Sequence, residues 1–241
     1  MPVAAPVAVV LAVKRLDAAK SRLTPVVGTG PHRRATVAAM LADTLAAIAD
    51  AGSMHVTVVS PDPYVQRVAG EAGAAVLDEP TPSAELTPLN AALAHGIADG
   101  AARARIVVAV QADLAALDAA TVREAVDAAV EVIEAGARAA FVADRTGTGT
   151  ALLAVVGPDP MTPRFGPASA AAHRAAGAVE LDPEHRRWPR LRTDVDTPDD
   201  LAAALALGVG PRTRAALAGA RDTGAAEGGR RQDSPAPIVH N

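Results

Sequence analysis

Three aspartates are the side chains best suited to chemistry in this chain, and they fall in two places. Asp113 follows the apolar run Ile106-Val107-Val108-Ala109-Val110 and the step Gln111-Ala112. Asp194 and Asp196 close a stretch predicted as a strand over Leu191 to Val195. A short apolar run rich in β-branched residues reads as a strand buried on both faces. Open parallel sheets carry their chemistry just past the carboxyl ends of such strands. Carboxylates on two strand ends suit Mg²⁺, which takes one or two of them together with phosphate oxygens. Left unpaired, like charges at short range raise one another's pKa. A cation is therefore the expected partner, and Asp113→Asn is expected to leave the metal-free fold unharmed or slightly stabilised. Plainer roles stand beside this one. An Asp ending a strand often makes an Asx-turn. Thr197-Pro198-Asp199-Asp200 is a helix cap with a capping box, but that explains nothing about Asp194 and Asp196.

Cationic and hydroxyl-bearing stretches form the second group. The loop Val13-Lys14-Arg15-Leu16-Asp17-Ala18-Ala19-Lys20-Ser21-Arg22-Leu23 follows the first predicted strand. Its Lys14, Lys20 and Arg22 could converge on a polyphosphate and back a leaving group, or form a solvated basic turn. Arg145-Thr146-Gly147-Thr148-Gly149-Thr150 offers hydroxyls and exposed amides to phosphate or carboxylate oxygens; a flexible hairpin would look the same. Gly166 and Ser169, in Arg164-Phe165-Gly166-Pro167-Ala168-Ser169, lead into a helix whose first amides could hold an anion, or be capped in the ordinary way. His173 and Arg174 lie one turn further on, adding charge or merely solvated. No P-loop and no Gly-x-Gly-x-x-Gly after a strand occurs.

Composition narrows the partners. The 241 residues carry a net charge of −4, which gives no footprint for nucleic acid. There is no cysteine, so disulfides, thiolate metal sites and Cys nucleophiles are excluded. The longest apolar stretch, Val7 to Val13, is too short to span a membrane and lacks the preceding positive charge of a secretory signal. A soluble cytoplasmic protein is the expectation. Aromatics make up only 2%, so the core must be built from Ala, Val and Leu.

The elements that must position these residues alternate. Strands are predicted at Pro6 to Val13, Val56 to Val59, Ala74 to Leu77, Arg105 to Val110, Ala139 to Ala143, Ala151 to Val156, Ala178 to Leu181 and Leu191 to Val195. Helices are predicted at Arg33 to Ala51, after Asp62-Pro63, and at Leu89 to Ala98, Thr121 to Ala135, Ala168 to Ala176 and Thr197 to Leu207. Strand–helix alternation indicates an α/β fold with a mostly parallel sheet between helical layers. One domain is expected over 1–215. From 216 to 241 the pattern dissolves into a predicted disordered tail.

Taken together these motifs resemble a known family. The markers are Val-Lys-x-Leu-x-x-Ala-Lys-x-Arg-Leu at Val13 to Leu23 and Pro88-Leu89-Asn90 opening a helix. The others are Asp113 at its strand end, Phe141-Val142-Ala143-Asp144-Arg145 with its Gly-Thr-Gly-Thr loop, Arg164-Phe165-Gly166-Pro167-x-Ser169, and Asp194-Val195-Asp196-Thr197-Pro198. In this order, over about residues 6 to 213, they resemble the guanylyltransferases of coenzyme F-420 biosynthesis, which act on phosphoenolpyruvate or 2-phospho-L-lactate. The resemblance implies a three-layer nucleotidyltransferase fold of the GT-A-like kind. It implies condensation of GTP with a phosphorylated three-carbon acid, release of pyrophosphate, and a product passed to the next transferase of the pathway.

By the same resemblance, Thr150, Gly166 and Ser169 would hold the acid, and Asp113 with Asp194 or Asp196 would hold Mg²⁺. Lys14, Lys20 and Arg22 would hold the GTP phosphates, with Asn90 near the nucleoside. The chain departs from the family at Ala112-Asp113-Leu114-Ala115, where Gly-Asp-Leu-Pro is common. A Cβ at Ala112 could crowd a nucleotide contact. The Ala-, Arg-, Pro- and Gly-rich composition suits a GC-rich genome and favours phosphoenolpyruvate as the acid. Molybdopterin and sugar nucleotidyltransferases usually carry a Gly-Gly-x-Ser-x-Arg type loop, which Lys14 to Arg22 lacks. A non-catalytic nucleotide-binding protein would be expected to lose a metal carboxylate or the basic loop, and both are present.

Overall fold

A computed structural model describes residues 7–219, except residues 83 and 158 and the side chain of Ala18. Its centre is a seven-stranded sheet. The strands are β1 (Val7–Ala12), β2 (His55–Val59), β3 (Ala75–Leu77), β4 (Ile106–Val110), β5 (Ala139–Ala143), β6 (Thr150–Val156) and β7 (Val179–Glu180). They lie in the order β3-β2-β1-β4-β6-β5-β7. All neighbours are parallel except β6, which runs antiparallel to both β4 and β5. Strand order reverses at β1, which sits between β2 and β4.

The helices that pack on the sheet are α2 (Gly30–Ala51), α3 (Pro63–Glu71), α4 (Pro88–Ala101), α5 (Ala119–Glu134) and α6 (Ser169–Ala175). Alternate strand residues face opposite layers. Val9, Leu11, Ile106, Val108 and Val142 meet α2, α3 and α5 on one side. Val10, Val107, Ala109 and Phe141 meet α4 and α6 on the other. These are the three layers that the resemblance implied. With so few aromatics, separation between layers is small. A Cβ built at Gly96 of α4 would stand 2.4 Å from Val10 Cγ1, so only glycine lets this helix lie so close to β1.

Three further helices are α1 (Thr24–Val27), α7 (Pro189–Arg192) and α8 (Pro198–Leu207). The capping box expected at Thr197 to Asp200 is formed. The strand expected over Leu191 to Val195 is not. Pro189 instead starts α7, where its fixed φ suits a first turn. The last residue of this short helix, Arg192, ties it to the chain around it through three backbone carbonyls. Arg192 donates from Nη1 to Ala143 O at 2.7 Å, from Nη2 to Asp182 O at 3.0 Å, and from Nε to Arg187 O at 3.0 Å.

A third apolar cluster joins Leu23, Val27, Met40, Val195, Leu201 and Leu217. Leu217 belongs to a helix over 211–219, α9, whose opening amides at Arg212 and Thr213 donate to buried Asp43 at 3.2 and 2.7 Å. Residues 216–219 therefore continue the fold rather than start a tail, because a buried leucine and a distant cap hold them. The rest of the expected tail, 220–241, lies outside the described residues. Among the described residues no helix is long and apolar enough to cross a membrane.

Candidate active site

A cavity of about 500 Å³ opens at the carboxyl edge of the sheet, beside the point where strand order reverses. The ends of β1 and β4 bring Lys14 and Asp113 to it. Because β6 is antiparallel, its first residue, Thr150, lies at the same edge, and Gln111 N–H donates to Ala151 O at 3.1 Å. Gly166 and Ser169 line one further part of the wall, and Asp194 and Asp196 another.

The basic loop forms two 3-10 turns, and Lys20 caps the second with φ 55. That left-handed bend turns its ammonium inward between two carboxylates. It bonds to Asp113 Oδ2 and to Asp196 Oδ1, the latter at 2.5 Å. Burial alone would lower the Lys20 pKa, but the charges of Asp113 and Asp196 and the bonds to them outweigh it and raise it. The chain's own lysine thus supplies a positive charge between Asp113 and Asp196. Asp113 is fixed from behind, its carbonyl accepting from Val195 N–H at 3.3 Å. Its Oδ1 is buried without a partner. Burial pushes Asp194 up to about 7, and the charges of Asp113 and Asp196 push the same way. No preassembled cage of three or more His, Cys, Asp or Glu residues exists among the described residues. The donors present are still hard oxygens with one orphaned, and they fit a divalent cation of the Mg²⁺ type. Lys14 is exposed on the cavity rim, whereas Arg22 is exposed and does not line it.

The opposite wall is built from hydroxyls. Thr150 and Ser169 are both buried and both line the cavity, and Ser169 Oγ has no partner. Gly166 has φ 128, a backbone state disfavoured for other residues, and a Cβ there would enter open space. The amides expected to hold an anion at the helix start are already used: Ser169 N–H donates to Gly166 O and Ala170 N–H to Thr148 O, each at 3.1 Å. The glycine loop is likewise folded inward. Asp144 Oδ1 accepts from Thr146 Oγ1 at 2.9 Å and from Thr148 N–H at 3.1 Å. The Thr150 and Ser169 hydroxyls are the side-chain donors that these segments bring to the cavity wall, beside Thr148.

Asn90 does not line the cavity. Its side chain pairs with Phe165 in both directions, accepting from the N–H at 2.7 Å and donating to the carbonyl at 2.9 Å. It clamps the Gly166 segment onto the start of α4. His173, also outside the lining, is fully buried and bonds Thr150 and Arg164.

A family model described as "Guanylyl transferase CofC like" matches residues 7–221. The chain belongs to that family. This CofC-like transferase is 50% identical over 223 residues to the phosphoenolpyruvate guanylyltransferase of Mycobacterium sp. (strain KMS), covering 91% of this chain and 95% of that protein. It is 45% identical over 215 residues to the protein of the same name from Mycobacterium ulcerans (strain Agy99), covering 88% and 94%. Among solved structures it resembles a candidate nucleotide-diphospho-sugar transferase from Desulfovibrio desulfuricans G20 (TM-score 0.60, 15% identity, 91% and 95% covered). It also resembles a cytidylyltransferase from Leptospira borgpetersenii (TM-score 0.53, 13% identity, 98% and 100% covered). Those two likenesses show the nucleotidyltransferase fold. The sequence motifs of this family member marked the cavity walls; they gave no sign of the clamp at Asn90, the Arg192 anchor or the His173 bonds.

Proposed function

We propose that this chain condenses GTP with phosphoenolpyruvate, giving enolpyruvoyl-diphospho-guanosine and pyrophosphate in coenzyme F-420 biosynthesis, in the cytoplasm. Relatives at 45–50% identity carry the name of that activity. The observation that carries the reading is one cavity with two unlike walls: carboxylates and lysines on one, an unpartnered buried hydroxyl beside Thr150 on the other. The first suits a metal-bound triphosphate, the second an anion rich in acceptor oxygens. Asp113 with Asp194 or Asp196 would hold Mg²⁺, which supplies neutralisation of phosphate charge and a template for alignment.

The chemistry then needs little else. An oxygen of the acid's phosphate forms a bond to the α-phosphorus of GTP. The bond from that phosphorus to the β-bridging oxygen breaks, and pyrophosphate leaves with the electron pair. A phosphomonoester has its second pKa near ~6, so the nucleophile is already ionised and no general base is required. The protein's contribution is in-line positioning and stabilisation of the leaving charge. Lys14 and Lys20 supply positive charge on the nucleotide side, and Arg22, exposed on the same loop, could join them only at the outer phosphates. Thr150, Gly166 and Ser169 receive the acid. Asn90 serves this site by holding the Gly166 segment rather than by touching the nucleoside.

The test is GTP-dependent pyrophosphate release with Mg²⁺, using phosphoenolpyruvate, 2-phospho-L-lactate and no acid in parallel. Release with phosphoenolpyruvate at least tenfold above the others is expected. Preference for phospholactate would move the substrate assignment, and no release with either would remove it. Ser169→Ala should raise KM for the acid and leave KM for GTP within twofold; equal loss for both would contradict a separate acid wall.

A further inference from the structure

His173 is a buried titratable group beside the acid wall that this mechanism leaves unused, and its bonds define its protonation. It sits in the second turn of α6, fully buried. The ring lies between Phe141 and Phe165, at centroid distances of 5.9 and 5.5 Å. Nε2 is 3.0 Å from the backbone nitrogen of Arg164, a group that can only donate. Nε2 must therefore be the lone-pair nitrogen. Burial first, and then the Arg164 charge, push the His173 pKa down to about 4, so the ring is neutral at working pH. A neutral imidazole has one N–H, which must be at Nδ1, 2.9 Å from Thr150 Oγ1. Thr150 Oγ1 is thereby made an acceptor toward histidine. Its own proton is left to donate elsewhere, and no protein acceptor for it occurs among the hydrogen bonds of the described residues. Thr150 lines the cavity.

We propose that His173 is a positioning residue for the acid: its Nδ1–H fixes the Thr150 hydroxyl as a donor aimed at an acceptor oxygen of the bound phosphorylated acid, while its Nε2 holds the Arg164-Phe165-Gly166 segment. The proposal rests on the acid-wall reading above and adds a selection rule to it. The group of the acid opposite Thr150 must accept a hydrogen bond, as an ionised carboxylate or phosphate does. A ligand presenting only donors there, such as an ammonium group, meets a second proton and is rejected.

Two substitutions separate the two bonds. His173→Gln can place an acceptor near the Nε2 position but loses the donor to Thr150; His173→Asn can place a donor near the Nδ1 position and loses the acceptor. With the full chain, GTP and Mg²⁺, His173→Gln should raise KM for phosphoenolpyruvate about tenfold, with KM for GTP within twofold, and His173→Asn should recover most of that loss. Thr150→Val should show a similar KM defect and Thr150→Ser should not. In the Thr150→Val background, His173→Gln should cost nothing further, because the hydroxyl it orients is gone. Fully additive losses, or equal losses for both substrates, would overturn the proposal. A readout independent of turnover is the tautomer, read from long-range ¹H–¹⁵N correlations of the unliganded chain. Neutral Nδ1–H at pH 7 is expected, and Nε2–H or imidazolium would overturn it as well. If the wild-type chain uses a different phospho-acid, the substrate reading fails while the same cycle is run on that acid.

Discussion

Asp113 and Asp194 share a cavity but differ in their partners, and their replacement should have opposite effects. Asp113 pairs with buried Lys20, whereas Asp194 is pushed up to about 7 by burial and by its two acidic neighbours. Asp113→Asn should therefore lower metal-free stability by about 2–3 kcal/mol, since it strips a buried ammonium of one partner. The expectation of relieved repulsion holds for Asp194 instead. Both changes should reduce Mg²⁺-dependent turnover by about 10²–10³-fold, a size typical of losing a charge-stabilising group. Thermal unfolding without metal decides the sign, and a more stable Asp113→Asn would contradict it. The signs with pH also differ. The folded Asp194 keeps a proton that the unfolded chain releases near 3.8, so its contribution falls as pH rises from about 4 to about 7. His173, held at about 4 against 6.5, contributes stability that is lost as pH falls from 6.5 toward 4. Asp62, Asp99, Asp118, Asp182 and Asp200 are all lowered, so their losses come at still lower pH. Between about pH 4.5 and 6.5 the two slopes oppose. Metal-free Asp194→Asn should show a Tm that climbs with pH, and His173→Gln one that declines. Curves parallel to wild type in both would mean neither group is shifted.

At the scale of elements, the strands around the site were legible because apolar runs such as Ile106 to Val110 have one reading in a parallel sheet. Leu191 to Val195 was not. With only Leu191 and Val195 apolar, this segment has no run that demands a strand, and the deciding signals were Pro189 just before it and a guanidinium whose acceptors lie elsewhere in the chain. The family resemblance implies a place for Asn90 near the nucleoside. Its partner, Phe165, is 75 residues away, and nothing local announces that pairing. Arg192 anchors the segment that carries Asp194 and Asp196. Arg192→Lys keeps the charge but cannot span Ala143 O, Arg187 O and Asp182 together. A loss of about 3 kcal/mol in urea unfolding is expected, with a raised Mg²⁺ requirement for turnover. A loss under about 1 kcal/mol would show that the lysine suffices and that the fork geometry is immaterial.

Across the whole molecule, the three-layer plan could be read from the order of elements, but its end could not. The last helix among the described residues is held by Asp43, far back in the chain, and by Leu217, whose neighbours Ala215, Ala216 and Ala218 add no larger apolar side chain to mark a face. Ending the chain after Ala215 should cost about 1–3 kcal/mol by removing a buried leucine, while ending it after Thr223 should leave stability and turnover unchanged. Equal behaviour of the two truncations would place the boundary at 215 after all. Lys20 has a wider consequence, because it is in effect a tethered monovalent counterion. On the proposed reading, a divalent cation held by Asp113 would have to displace it, and a bound triphosphate would give the displaced ammonium somewhere to go. Metal and nucleotide are then thermodynamically linked through one side chain, and each must raise the other's affinity by the same factor. Lys20→Met should tighten Mn²⁺ binding in the absence of GTP and shrink the gain that GTP gives it, both measurable by paramagnetic titration. An unchanged gain would mean the linkage runs through the metal–phosphate bond alone. With that linkage, the resting site would supply part of its own neutralisation through Lys20, and its metal requirement would be set by how much GTP is at hand.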